Sequence, residues 1–210
     1  MTRCVLIVLS ILCSMSTVSA QKPLVDMGKL RSLDLLFVVS QASNAITEVT
    51  TGIDGYQIDH VGIVRKENGK TTVIEAVYEG VREVSLDDFM RSAPIVLVGR
   101  LAKPFDKRQT IINAMSLVGR PYDFVYRTGL ETVYCSELVS ESYVDRHGEK
   151  LFPPVAMSFH DASGIITPYW IDFYSRRGMD VPEGEPGTNP GELSRREAII
   201  IKYLIRNFVK

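Results

Sequence analysis

The feature that most constrains this chain is a pair of apolar segments joined by Asn68-Gly69. The first segment, residues 58–66, is IDHVGIVRK, and the second, residues 71–77, is TTVIEAV. Asn-Gly between two such runs favours a tight type I′ turn, because both residues tolerate the positive φ angles that this turn requires. The sequence therefore predicts an antiparallel hairpin over residues 58–77.

The register of this hairpin would bring a histidine and a carboxylate together. With a two-residue turn, Gly62 lies opposite Glu75, and His60 is on the same face as Glu75, one diagonal step away. Gly62 has no side chain and leaves room for the imidazole to lean toward the carboxylate, which would fix its tautomer and stabilise the imidazolium. A catalytic His-Glu pair is one interpretation, and a half-buried structural histidine near a surface carboxylate is the other.

Cys135 is the candidate nucleophile. The segment TVYCSELVSESYV, residues 132–144, predicts a helix that begins at Cys135, has Glu137 in its first turn and ends at His147-Gly148. A thiol in the first turn meets the positive end of the helix dipole and backbone N–H groups that could also hold an oxyanion. A nearby His60 would complete its activation. The alternative is a buried cysteine that packs as a small hydrophobic residue.

The first twenty residues predict export. Arg3 precedes a short apolar run, and the segment ends in small residues at Ala20, which is the layout of a secretory signal peptide. A lipid anchor at Cys13 is disfavoured, because Leu12 is larger than the residue that usually precedes a lipoprotein cysteine. We therefore expect residues 21–210 to form a single catalytic domain in a periplasmic or extracellular location, with no transmembrane segment after signal removal.

Cysteine count and charge narrow the possible functions. Cys4 and Cys13 lie in the segment that export would remove, so Cys135 would be the only thiol left, and a lone thiol in an oxidising compartment is usually buried, paired between chains or used. With 24 basic and 25 acidic residues and no long basic run, nucleic acid is a disfavoured partner. His147 and His160 stand in no metal-ligand pattern, so no metal or cofactor is predicted.

The rest of the chain indicates further strands and helices around one core, hence an α+β domain. We expect a short helix or a loop over residues 41–55. The other predicted elements are strands at residues 33–40, 81–84, 95–101 and 164–174, helices at 85–90, from a capping box at 106–109 up to Gly119, and at 195–208, and a Pro/Gly-rich loop at 182–191.

Five motifs resemble those of the permuted papain-like amidases related to NlpC/P60 hydrolases, the YiiX/YaeF-like cysteine peptidases. They are LDLLF at 33–37, IDHVGI at 58–63, VIEA at 73–76, VGRPYD at 118–123 and YCSELV at 134–139. The order histidine, glutamate, cysteine is that of the circularly permuted branch, which the lecithin:retinol acyltransferase-like proteins share. One departure is that the family's first strand usually begins Gly-Asp, whereas this chain has Leu33-Asp34.

The resemblance implies a circularly permuted papain-like fold, with an antiparallel sheet packed against helices. It implies Cys135 as nucleophile, His60 as general base and Glu75 as the orienting acid. Tyr122 would line the site near the oxyanion, although an aromatic residue after Gly-x-Pro also commonly packs across a turn. The implied activity is that of an exported cysteine amidohydrolase or peptidase that forms an acyl-thioester and needs no cofactor.

The substrate expected from this resemblance is a peptide amide, with cell-wall peptide as the first candidate. Two alternatives remain open. One is a lipid- or N-acyl-directed acyltransferase or hydrolase with the same nucleophile, which a long apolar groove would favour over a narrow polar one. The other is a binding module with inactive catalytic residues. The oligomeric state is left open.

Overall fold

The computed structural model describes residues 27–129 and 131–206. The predicted signal peptide and Cys13 lie outside the described residues. The strands are β1 (Leu35–Val39), β2 (Ile58–Glu67), β3 (Lys70–Val77), β4 (Gly80–Ser85), β5 (Ile95–Leu101), β6 (Val155–Ala156), β7 (Pro186–Gly187) and β8 (Ile199–Arg206). The helices are α1 (Ala45–Val49), α2 (Leu86–Ser92), α3 (Lys107–Ser116), α4 (Cys135–Ser142), α5 (Pro168–Ser175) and α6 (Pro190–Ser194), with 3₁₀ turns at Met27–Lys29 and Ile53–Gly55.

Six of the strands form one antiparallel sheet in the order β4-β3-β2-β1-β5-β8. Helices cover both faces, which is why all five residues of the central strand β1 are buried. On one face Leu35 and Phe37 pack with Leu138 of α4, and on the other Leu36 packs with Phe89 of α2. The predicted α+β class, with an antiparallel sheet packed against helices, is confirmed.

The predicted hairpin is present in the predicted register. Strands β2 and β3 pair from Gly62 with Glu75 to Glu67 with Lys70. The turn residues, Asn68 and Gly69, have φ angles of 49° and 76°. Both values are positive, as a type I′ turn requires.

A bulge in β2 breaks the regular alternation one residue before His60. On the side of β1, Val38 pairs with His60, but the next pair is Val39 with Ile58, so Asp59 is an extra residue. A bulge of this kind bends the strand and re-aims the side chains at it. Asp59 and His60 consequently border the same cleft.

Side-chain caps start the two predicted helices that follow the hairpin. Ser85 accepts from the backbone N–H of Asp88 at 3.0 Å at the start of α2, and Asp106 accepts from the N–H of Gln109 at 2.9 Å at the start of α3. Only this half of the predicted capping box forms, because the Gln109 side chain donates to Asn113 instead.

The strand predicted at residues 164–174 is wrong, since most of this segment belongs to helix α5. Thr167 is the N-cap, and Pro168 is the first helical residue. Proline favours a helix at this first position. Trp170 and Tyr174, four residues apart, share the buried face. The dense aromatic and β-branched content gave the segment the composition of a strand.

The last two predictions for the tail also need correction. The helix predicted at residues 195–208 is wrong, because Ile199–Arg206 forms strand β8 against β5. The run of β-branched residues agrees with a strand, but only the open edge of β5 decides it. The predicted loop at 182–191 contains the short strand β7 and the start of α6.

Helix α4 begins at Cys135 as predicted but ends earlier. It stops at Ser142, and the backbone of Tyr143 is extended. The Tyr143 hydroxyl donates to the Leu33 carbonyl at 3.0 Å. His147 is therefore not at the end of this helix; it lies in a turn five residues further on. Leu33 has a φ of 68°, a backbone conformation that favours glycine. This chain has a buried leucine there, where the family it resembles usually has glycine.

None of the helices within residues 27–129 and 131–206 has the length and apolarity that a bilayer crossing would need.

Candidate active site

His60 and Glu75 are hydrogen bonded across the hairpin, as their diagonal positions predict. His60 Nε2 lies 2.8 Å from Glu75 Oε2, and the ring N–H donates to the carboxylate. Glu75 is buried, with 2 % of its surface exposed, while His60 is half-buried and stacks on Phe89. A Cβ on Gly62 would meet the Val73 and Phe89 side chains. The space at Gly62 thus serves the packing beneath His60 and not the imidazole itself.

Arg82 occupies the other oxygen of Glu75, and the sequence reasoning missed it. Its Nε and Nη2 atoms lie 3.0 and 2.9 Å from Glu75 Oε1. Burial raises the pKa of Glu75, but the hydrogen bonds and charges of His60 and Arg82 more than offset it and hold the pKa below its usual value. The sequence did contain a signal for Arg82. A tight turn before Gly80 joins β3 to β4, and the register of this turn places Arg82 opposite Glu75.

Cys135 lies on the other side of His60. It is the first residue of α4 and is buried. Its side chain lies near the His60 ring, and since Glu75 takes Nε2, the ring nitrogen left for the thiol is Nδ1. Burial lowers the pKa of His60, but the hydrogen bonds and charges of Cys135 and Glu75 outweigh it and raise the pKa to about 10. The structure thus brings together the three residues that the sequence singled out.

Backbone and tyrosine donors surround the thiol. The first-turn N–H groups of a helix have no partner within the helix, so those of α4 are available to an oxyanion. Tyr122 and Tyr126 both border the same pocket as Cys135. Burial and the neighbouring thiol raise the pKa of both tyrosines, that of Tyr126 to about 12, so both hydroxyls stay protonated donors.

The pocket next to the thiol is mainly apolar, and several aromatic side chains border it. We call it the thiol pocket; its volume is about 200 Å³. Its apolar wall includes Tyr122, Tyr126, Tyr134, Met157, Phe159 and Trp170. Helix α5, which the sequence pattern predicted as a strand, supplies Trp170, and this explains why sequence reasoning did not find the wall. The Trp170 indole donates to the Ala45 carbonyl at 3.1 Å, which fixes α5 against α1.

A second, more open space lies next to His60. This histidine cleft has a volume of about 680 Å³ and includes Asp59, His60, Glu75, Phe89 and Tyr169 in its walls. Ile46, Tyr126 and Trp170 border both the cleft and the thiol pocket. The catalytic candidates therefore lie where two spaces of different character meet.

Two buried carboxyl groups hold the loop that carries the tyrosines. Asp123 Oδ1 accepts from the N–H of Val125 at 2.8 Å, and Glu137 Oε1 accepts from the N–H of Gly129 at 3.0 Å. The second oxygen of each carboxyl is buried without a hydrogen-bond partner. Burial raises the pKa of both groups, and the charge of Asp123 adds to the rise for Glu137, whose pKa is about 7.

A family model described as permuted papain-like amidase enzyme, YaeF/YiiX, C92 family, matches residues 30–198. That range contains the hairpin, the start of α4 and the three candidate residues. The chain belongs to the permuted papain-like amidase family. This agrees with the resemblance in the sequence motifs, and the family is one of amidase-type hydrolases.

A solved structure supports the same fold. The crystal structure of the metalloprotein yiiX from Escherichia coli O157:H7 superposes with a TM-score of 0.67 at 20% sequence identity, covering 82% of this chain and 96% of the other. A search of curated proteins found no significant match. At this identity the likeness shows the fold alone.

The Escherichia coli protein is described as a metalloprotein, which raises the question of a metal site in this chain. In residues 27–129 and 131–206 of this chain, no group of three or more His, Cys, Asp or Glu side chains is arranged to hold a metal ion. Asp123 and Glu137 each have one buried oxygen without a hydrogen-bond partner, and these two oxygens are too few ligands for a metal ion. The side chains within these described ranges therefore do not fit a bound metal, and the proposed mechanism uses none.

Proposed function

We propose that this protein is a cysteine-dependent amide hydrolase in which Cys135, His60 and Glu75 form the catalytic triad. One observation carries the proposal. The thiol at the start of α4 lies beside the His60 imidazole, and the imidazole in turn hydrogen bonds to a buried carboxylate. The same order of roles occurs in other nucleophile-base-orienter triads, where the third group holds the base in place.

In the acylation step the Cys135 sulfur attacks the amide carbonyl carbon. An S–C bond forms, and the carbonyl oxygen becomes an oxyanion that the first-turn N–H groups of α4 can stabilise. His60, protonated through the raised pKa of its ring, then donates its proton to the amide nitrogen. The C–N bond breaks, the amine leaves, and the acyl group stays on sulfur as a thioester.

In the deacylation step water replaces the amine. His60, now neutral, takes a proton from the water as its oxygen attacks the thioester carbon. A C–O bond forms and the C–S bond breaks, which releases the carboxylic acid. The Cys135 thiolate and the protonated His60 are thereby restored. Glu75 keeps the imidazole in one orientation through both steps, since Arg82 and His60 fix both of its oxygens.

A second candidate is a lipid- or N-acyl-directed acyltransferase or hydrolase with the same triad. The aromatic wall of the thiol pocket favours it, because the acyl group that stays on Cys135 would enter an apolar space. Nitrophenyl esters of acyl chains from two to twelve carbons test this candidate. A kcat/KM that rises steeply with chain length supports it, and a flat or falling series favours the peptide amide.

The experiment for the triad is alkylation of Cys135 by iodoacetamide, measured as a rate against pH. We expect faster reaction than free cysteine at pH 6, because a thiolate paired with imidazolium reacts where a free thiol does not. His60→Ala should abolish this advantage and Glu75→Gln should reduce it, whereas exposed His147→Ala should leave it intact. An inert thiol, or one that behaves like free cysteine in all variants, would instead favour a binding module.

The location of this activity remains a proposal from the first twenty residues. A signal-like segment supports export to a periplasmic or extracellular location, where cell-wall peptide amides would be the first substrates to try. N-terminal sequencing of the secreted protein would check cleavage after Ala20.

A further inference from the structure

The two spaces that meet at the triad are bordered by different members of it. Cys135 borders the thiol pocket, and His60 borders the histidine cleft. In the mechanism proposed above the acyl group remains on the sulfur, while the departing amine takes its proton from His60. The amine must therefore lie on the His60 side when the C–N bond breaks. This makes the histidine cleft the space for the leaving group.

A bulge puts a second ionisable side chain into this cleft. In a regular strand Asp59 and His60 would point to opposite faces. Because Asp59 is the extra residue between the pairs Val38–His60 and Val39–Ile58, both residues border the histidine cleft. Bulges beside active sites commonly re-aim a side chain in this way.

The Asp59 carboxylate is held in place by a residue that is itself fixed. Asn44 Nδ2 donates to Asp59 Oδ2 at 2.6 Å. Asn44 is also the N-cap of α1, where its Oδ1 accepts from the N–H groups of Ile46 at 3.0 Å and Thr47 at 3.1 Å. One carboxylate oxygen is thus positioned, and within the described residues no donor reaches Oδ1 of Asp59, which is left for a ligand.

Charge in the cleft is uneven. Glu75 has two cationic partners, Arg82 and His60, which also border the cleft and whose nitrogen atoms lie within 3.0 Å of its two oxygens. Asp59, in contrast, makes no salt bridge with any arginine, lysine or histidine in the part of the chain that the structure describes. The aromatic ring of Tyr169, about half exposed, borders the same space. A carboxylate beside aromatic faces is the arrangement that binds an ammonium group.

We infer that Asp59 is a specificity-determining residue that selects leaving amines carrying a second, positively charged group. The substrate class is then an amide whose amine portion is a diamine or a basic residue. This inference rests on the proposed function, because it needs an acyl group on Cys135 and an amine that departs beside His60.

The test measures how an acyl-enzyme partitions between water and added amines. By microscopic reversibility the attacking amine uses the leaving-group space, so the ratio of amide to free acid reports on the histidine cleft without knowledge of the natural acyl group. A nitrophenyl ester forms the thioester, and the release of nitrophenol monitors it. The amines are pentylamine and the α,ω-diamines of three to six carbons, at pH 9 and low salt.

We expect at least one diamine to give about tenfold more amide than pentylamine, well beyond the factor of two for its second amino group. The preference should fall to about twofold in Asp59→Asn, which retains an acceptor for Asn44, and should weaken with added salt. Asp87→Asn removes an exposed carboxylate outside both spaces and should retain the preference.

The possible failures are distinguishable. If no thioester forms and nitrophenol release does not depend on Cys135, the proposed function fails. If the thioester forms but every diamine behaves like pentylamine, or if Asp59→Asn keeps the full preference, the inference about Asp59 is overturned while the triad stands.

Discussion

At the scale of single residues, the central feature is a buried carboxylate with two cationic partners. An unpaired carboxylate as buried as Glu75 would be protonated and could not stabilise an imidazolium. Arg82 and His60 each take one oxygen, which keeps the group charged where burial opposes it. Arg82 is therefore a positioning residue, because it acts on His60 through Glu75.

Removal of Arg82 should change the pH dependence of activity. In Arg82→Met the pKa of Glu75 rises, so we expect the acidic limb of the pH profile of kcat to move to higher pH, with kcat at neutral pH lowered about three- to tenfold. Arg65→Met, which breaks an arginine-glutamate pair on the same hairpin away from the triad, is the matched control. An acidic limb that stays in place in Arg82→Met would contradict the role given to Arg82.

At the scale of elements, turn chemistry sets the geometry of the triad. The register that aligns His60 with Glu75 depends on a two-residue turn at Asn68-Gly69, and a slip of one residue would move every side chain to the other face. Both turn residues have positive φ.

Replacement of Gly69 should therefore destabilise the fold. Gly69 has a φ of 76° and open space around it, so Gly69→Ala adds backbone strain without a clash, and we expect a loss of about 1 kcal/mol in the free energy of unfolding. Gly129→Ala is the control, because Gly129 also has open space but does not have a left-handed φ. Equal urea midpoints for the two variants would be evidence against the turn geometry.

Helix α5 shows what an element contributes beyond its own pattern. Its residues Trp170 and Tyr174 fix α1 and the loop at 121–129 through hydrogen bonds to the carbonyls of Ala45 and Val125. It thereby builds the wall between the thiol pocket and the histidine cleft.

At the scale of the whole molecule, the carboxyl groups of Asp123 and Glu137 couple the tyrosine loop to α4. The loop also contains Tyr126 in a left-handed conformation, with a φ of 56°. The hydrogen bonds that Asp123 and Glu137 accept from Val125 and Gly129 hold this strained backbone in place. This arrangement lowers the stability of the fold in one respect, because it buries two carboxyl groups that each have one oxygen without a hydrogen-bond partner.

This coupling predicts a stability that falls as pH rises. The pKa of Glu137 is about 7 in the folded protein and near its usual value of 4.5 in the unfolded chain, so the folded state binds the extra proton between these values. Relative to the wild type, Glu137→Gln should become more stable by about 3 kcal/mol between pH 4.5 and 8.

Urea denaturation at several pH values measures this difference. His60, whose pKa is also raised, adds its own loss of stability from about pH 6.5 to 10, and the comparison with the wild type removes that contribution. Exposed Glu131→Gln should follow the wild type. Parallel curves for Glu137→Gln and the wild type would show that Glu137 does not carry the proton.

The sequence by itself determined the features that depend on neighbouring residues. Asn68-Gly69 sets its own turn, the period of two then puts His60 beside Glu75, and Cys135 begins a helix, because turn chemistry and strand alternation act over a few residues. The family motifs extended this to the fold and to an amidase kind of hydrolase.

Only the tertiary structure decided the features that depend on distant segments. Arg82 reaches Glu75 because β4 pairs with β3, and Asp59 enters the histidine cleft because the pairing with β1 contains a bulge. The tail became a strand only because the edge of β5 was open to it. In each case the local preference was weak or ambiguous, and packing against a segment far away in the chain supplied the larger free energy.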